Sequence, residues 1–400
     1  MGKVPKSEFK MRIDRLREIM KKDKTDVFII YGDEYRRENL RYVSNYWPIF
    51  ERGLLVVGIE NDPVLLTSPE CEHLAKEMSA WNDIRLVKDV GMSYVPEEVE
   101  FTNIKFTDLT SVIKDITNGK KDLQVKLAGT DAMSVILYNN IIKALGKAGI
   151  DNGDPVLYKL RYLKTPIEVE MLKRAWEICD AGYKAVLDSD IVGLTEIQAA
   201  AIGEKAARDA GAEHIVFSIL ATGSRTNSVV GRPSEKVIEK GDMVMYAFAI
   251  QYEGYIASDE WPYVAGTDPT KPQMNLIYNL VKAEDTAVKA IKAGVLQGSI
   301  VKMIRNYFRD NGLEAFDLYP PIHGNGLSEA ESPYPDENSN IPFQKGVGIN
   351  FDVSLFGMPE VGSNRIEEGF IVENDGLLVL SNLIRNLREE FLRENKNFKL

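Results

Sequence analysis

Gly241-Asp242-Met243-Val244-Met245-Tyr246-Ala247-Phe248-Ala249-Ile250-Gln251-Tyr252-Glu253-Gly254-Tyr255-Ile256-Ala257-Ser258-Asp259-Glu260 decides how this chain is read. Gly241-Asp242 is a turn signal, and the apolar and aromatic run after it has the composition of a strand. Glu253-Gly254 separates that run from a second one, so Met243–Tyr252 and residues 255–265 are expected to pair as a hairpin. Neighbouring residues of a strand face opposite ways. Asp259 is therefore expected to point away from whatever Ser258 points toward, unless a bulge intervenes.

Working outward, Thr165-Pro166-Ile167-Glu168 supplies an N-cap hydroxyl, a proline at the first helical position and a glutamate three residues past the cap. Met171, Ala175, Ile178, Cys179 and Val186 then form one apolar helical face, and a second helix is expected over residues 195–210. Beyond the hairpin, helices are expected near residues 274–293 and 300–311, and strands near 348–353, 366–372 and 376–380. The N-terminal portion begins with an amphipathic helix over residues 6–22, built on Phe9, Ile13, Leu16 and Met20. Strands at 27–31, 54–59 and 64–67 follow, then helical patterns near 71–81, 107–116 and 134–148. Asp151-Asn152-Gly153-Asp154-Pro155 reads as a turn and linker. The expected fold class is α/β (α+β), with domains at residues 1–155 and 156–400.

Four hundred residues are too many for one ordinary core, which supports two domains. With 44% hydrophobic and 27% charged residues, the chain has the composition of a soluble globular protein. A net charge of −11 argues against nucleic-acid or anionic-membrane partners, and the basic stretch at 114–126 is interleaved with acids like a solvated surface. No apolar run is long enough to span a bilayer, and the N-terminus has no signal-peptide core. Cys71 and Cys179 stand far apart, giving neither a disulfide framework nor zinc-finger spacing. The expectation is a cytoplasmic protein acting on a small molecule.

Four motifs then occur in order: Leu160-Arg161-Tyr162-Leu163-Lys164-Thr165-Pro166-Ile167-Glu168, Gly241-Asp242-Met243-Val244 with Gly254-Tyr255, His323-Gly324-Asn325-Gly326-Leu327, and Asn364-Arg365-Ile366-Glu367. Together they resemble the creatinase/prolidase/aminopeptidase P family. The resemblance implies a creatinase-type N-terminal domain, a C-terminal pita-bread domain and a homodimer. In the metallopeptidases of that family two Asp, one His and two Glu hold a pair of divalent metals, which activate water and polarise the scissile carbonyl. Carried over, those positions fall on Ala247, Ser258, His323, Asp352 and Glu367. The family's proton-transferring histidines fall at about Val230 and at Ala330.

From this the resemblance implies a metal-independent, creatinase-like hydrolase of a C–N bond in a small, cationic guanidino or amide compound, with no cofactor. His323, Asp352 and Glu367 are the catalytic candidates. Glu260 takes the place of a creatinase glutamate that binds a guanidinium, and Asp259, Trp261, Arg365 and Tyr255 complete the substrate-binding candidates. Arg365, two residues from Glu367 on one strand face, reads equally as an internal ion-pair partner. Two alternatives stay open: an inactive member serving as a ligand- or protein-binding module, and an Xaa-Pro peptidase or lyase with one divalent metal on His323, Asp352 and Glu367.

Overall fold

The computed structural model of the chain describes residues 4–91 and 102–398. It divides into two units, Lys3–Arg161 and Tyr162–Leu400.

The first unit is a six-stranded mixed sheet of β1 (Val27–Asp33), β2 (Arg52–Gly58), β3 (Val64–Thr67), β4 (Asp83–Leu86), β5 (Gln124–Ala128) and β6 (Gly149–Asn152). Their order is β4-β3-β2-β1-β5-β6; the pairs β1/β2 and β2/β3 run antiparallel and the others parallel. Its helices are α1 (Lys6–Lys22), α2 (Glu38–Ser44), α3 (Glu72–Met78), α4 (Lys88–Gly91), α5 (Leu109–Ile116), α6 (Val135–Leu145) and α7 (Asp154–Tyr162). One core joins Ile29, Leu54 and Val125 of the sheet to Val112, Leu137 and Ile141 of α5 and α6. Three elements depart from the sequence reading. The stretch at 114–126 does not end as free surface, since its last residues enter β5, where Val125 is buried. The expected linker contains the end of β6, an edge strand too polar to announce itself, and the start of α7. Pro155 sits in the first turn of α7, where a missing N–H costs nothing. The expected boundary after residue 155 thus falls inside α7.

In the second unit, α8 (Pro166–Leu187) starts as its sequence dictates. Glu168 N donates to Thr165 Oγ1 at 3.3 Å and Thr165 N donates to Glu168 Oε2 at 3.0 Å, closing the capping box. The same device opens α9 (Glu196–Ala210) at Thr195. Then come β7 (His214–Thr222), β8 (Met243–Tyr252), β9 (Tyr255–Glu260), β10 (Tyr263–Val264), α10 (Lys271–Val288), α11 (Gln297–Asp310), β11 (Ile322–Gly324), β12 (Gly348–Met358), β13 (Gly362–Glu373), β14 (Gly376–Val379) and α12 (Asn382–Glu394). The eight strands form one antiparallel sheet in the order β10-β8-β9-β13-β12-β11, with β14 on β13 and β7 on β8.

Register is what makes a site here. Ala247 of β8 pairs with Glu260 of β9, Glu260 with Glu367 of β13, and Glu367 with Asp352 of β12. One row of residues therefore crosses four adjacent strands on one face. The alternate residues face the other way, where α8 and α12 pack: Asp259 lies against Asp180 and Cys179 of α8, and Glu368 meets Arg388 of α12. Among the described residues no helix is long and apolar enough to cross a membrane.

Candidate active site

His323 closes the row from the edge strand β11, where it pairs with Asn350 of β12. After His323 the chain turns through residues 325–330 and comes back so that Gly324 N donates to Glu331 O and Glu331 N donates to Gly324 O, both at 2.9 Å. Gly324 has to be glycine, because a Cβ there would collide with the backbone carbonyls of Glu331 and Ser332. This return swings Glu329 in beside His323. Lys164 fastens the loop through a buried ion pair to Glu331 at 2.5 Å.

His323 is 3% exposed. Nδ1 lies 3.1 Å from the Gly324 carbonyl oxygen, which can only accept, so Nδ1 carries the proton. Nε2 then faces Glu367 Oε1 at 3.5 Å and Glu329 Oε1 at 3.7 Å. Three acceptors converge on one point, an arrangement that requires a cation or an extra proton between them. Burial alone would lower the His323 pKa, but the Glu367 contact and the charges of Glu329 and Asp352 hold it raised, to about 10.

Glu367 is oriented by neutral donors. Asn350 Nδ2 donates to Oε1 at 2.7 Å, Ser258 Oγ donates to Oε2 at 2.8 Å, and Asn325 Nδ2 donates to Asn350 Oδ1 at 2.7 Å behind them. On the other side of the row, Arg365 Nε stands 2.6 Å from Glu260 Oε2 and Nη1 3.6 Å from Asp352 Oδ2. Tyr319 Oη accepts from Arg365 Nη1 at 2.8 Å and donates to Asp352 Oδ2 at 3.1 Å. Burial pushes the Glu260 carboxyl up to about 8, and Arg365 opposes that rise.

The structure thus brings together His323, Asp352, Glu367, Glu260 and Arg365. It does not bring in Asp259, Trp261 or Tyr255. Asp259 turns to Asp180 on the helix side. Trp261 donates its backbone N–H to Tyr183 Oη at 2.7 Å, and its ring meets Phe391 edge to face. Tyr255 shares the strand parity of Asp259 and is buried on that side. Glu329, Asn350 and Tyr319 join the site without having been singled out in the sequence. For Glu329 a signal existed in the acid-rich Ser328-Glu329-Ala330-Glu331 after the histidine motif. Asp352, paired with His323 and Glu367 in the sequence reading, leans to Arg365 and Tyr319, and Glu329 takes its place in the ligand-like group.

The pita-bread sheet carries a histidine and several carboxylates on the face away from α8 and α12. Residues 170–374 match the model of metallopeptidase family M24, residues 12–163 match the creatinase/prolidase N-terminal domain, and the chain belongs to the M24 family. That is a family of hydrolases acting on C–N (peptide) bonds. The Xaa-Pro dipeptidase of Pyrococcus horikoshii is 25% identical over 381 residues, covering 94% of this chain and 98% of that protein. In fold, the prolidase from Pyrococcus horikoshii OT3 superposes with a TM-score of 0.78 at 21% identity over 93% of this chain and 98% of that one. The X-Pro aminopeptidase from Thermotoga maritima MSB8 gives 0.79 at 24% identity, over 93% and 97%.

These findings overturn the expectation of a site with no metal. The family is one of metallopeptidases, and His323, Glu329 and Glu367 offer ligand atoms that all lie within 4.8 Å of one another. The donor set fits a divalent cation: one imidazole nitrogen and two carboxylates, with the other imidazole nitrogen anchored on a backbone carbonyl as metal-bound histidines usually are.

Proposed function

We propose that this chain is a metal-dependent hydrolase of the C–N bond in a small, dipeptide-type substrate, of the Xaa-Pro class named for its relatives. The observation that carries the reading is the convergence of His323 Nε2, Glu329 Oε1 and Glu367 Oε1 on one point. His323, Glu329 and Glu367 would hold a divalent cation, which supplies Lewis-acid polarisation of a scissile carbonyl and acidifies water. Asn350 and Ser258 keep the Glu367 carboxylate in place through its two oxygens. Asp352, steadied by Tyr319 and Arg365, is the proton acceptor in this reading. Arg365 already supplies a cation to Glu260 and Asp352, which removes the argument for a guanidino or other cationic substrate. A cytoplasmic homodimer belongs to the same reading.

The test is hydrolysis of a panel of Xaa-Pro and non-proline dipeptides by metal-stripped protein, before and after adding Mn²⁺, Co²⁺ or Zn²⁺. Metal-restored cleavage, lost in Glu367→Gln, is expected. Equal cleavage with and without chelator, or none with any metal, contradicts it.

A further inference from the structure

We infer that the site takes one divalent cation per chain, and that the Arg365 guanidinium fills the position where a second would have to bind. The inference rests on the metal reading above. The row of side chains across β8, β9, β13 and β12 has two halves of different character. In one, His323 Nε2 and the carboxylates of Glu329 and Glu367 surround a point, with ligand atoms all within 4.8 Å of one another. In the other, the guanidinium stands between two carboxylates, with Glu260 at 2.6 Å from Nε and Asp352 at 3.6 Å from Nη1.

That guanidinium is built in. Nη1 donates to Tyr319 Oη at 2.8 Å and Nη2 donates to the Val229 carbonyl at 3.2 Å, and Arg365 is only 8% exposed. The surrounding wall offers a second ion little. Ala247, in register with Glu260, has no ligand atom, and the Ser258 hydroxyl is committed as a donor to Glu367. A second divalent ion would have to displace a buried guanidinium from its two carboxylates or sit against its positive charge. Arginine cannot relieve that conflict by losing its proton. The family's two-metal arrangement therefore does not fit these residues, whereas one ion does.

Native mass spectrometry and calorimetric titration of the metal-stripped chain with Mn²⁺ test this without reference to activity. The expected count is one ion per folded chain. Two ions would overturn this inference while leaving the metal-dependent reading intact, and none would overturn both. Arg365→Ala vacates a space bordered by Glu260, Asp352 and Tyr319, and is expected to raise the count to two. Arg365→Lys, which keeps a charge there, is expected to stay at one. A count of one in a folded Arg365→Ala chain would show that the guanidinium is not what excludes the second ion. If that variant does not fold, Arg365→Gln, which keeps much of the side-chain volume and removes the charge, takes its place in the same count, with two ions expected and one contradicting the guanidinium's role.

Discussion

Ser258 Oγ donates to Glu367 Oε2 at 2.8 Å, joining β9 to β13 under the site. Ser258→Ala leaves that buried oxygen without its protein donor. Such a loss costs about 1–3 kcal/mol. The expected outcome is a urea midpoint lowered accordingly in the metal-stripped protein, with native circular dichroism. A midpoint equal to the wild type would mean the bond contributes nothing.

On the opposite face, Asp259 is fully buried and meets Asp180. Asp180 accepts from Ser381 Oγ at 2.7 Å and from the backbone N–H groups of Asn382 and Leu383 at 3.0 Å, so it holds the start of α12. With those donors Asp180 is the charged member. Burial, then the Asp180 charge, pushes the Asp259 carboxyl well above the usual carboxylate range. A folded-state pKa raised above the unfolded value of about 3.9 makes the folded chain bind the extra proton. That proton's stabilising effect is complete below pH 4 and declines as pH rises toward the folded pKa. Asp259→Asn mimics the protonated acid and removes the dependence. Urea melts of both proteins from pH 4 to 9 are expected to diverge as pH rises, with the variant the more stable. Parallel curves would refute a shared proton.

Arg388 of α12 is a buried cation shared by Glu368 at 3.0 Å, Asp285 at 3.3 Å and Glu284 at 3.9 Å behind the sheet, and the exposed Lys289 also reaches Asp285 at 2.6 Å. Removing one partner from a buried charge group costs about 3–5 kcal/mol. Arg388→Ala should lose that much stability by denaturant unfolding, and the apolar and neutral pair Arg388→Met with Glu368→Gln should recover most of it. A loss no larger than that of an exposed arginine would place the group outside the stabilising core.

What the sequence disclosed follows the range of the forces involved. Local signals were legible: the Thr165–Glu168 capping box, the hairpin around Glu253-Gly254, and the histidine motif at 323–327. Strand alternation placed Asp259 away from Ser258. The same rule applied to Tyr255 and Trp261 assigns them to the helix side, where the structure has them. Contacts set by loop path were not legible. Glu329 reaches His323 only because the chain folds back at Gly324 and Glu331, and no periodicity encodes that return. The pairing of Arg365 with Glu260 depends on β9 lying beside β13, a choice of neighbour made by the whole sheet. Reading the lost aspartate positions as a lost metal overlooked this acid from outside the expected set.

Glu329→Gln is the decisive variant for the metal site, because it keeps shape and volume and removes only the charge that the loop brings to His323. Calorimetric titration of Mn²⁺ into metal-stripped wild-type and variant protein gives the comparison. If His323, Glu329 and Glu367 hold the ion, the dissociation constant of the variant rises at least about tenfold, equivalent to about 1.4 kcal/mol, while Asp259→Asn leaves it unchanged. Equal Mn²⁺ affinity in wild type and Glu329→Gln would contradict the account.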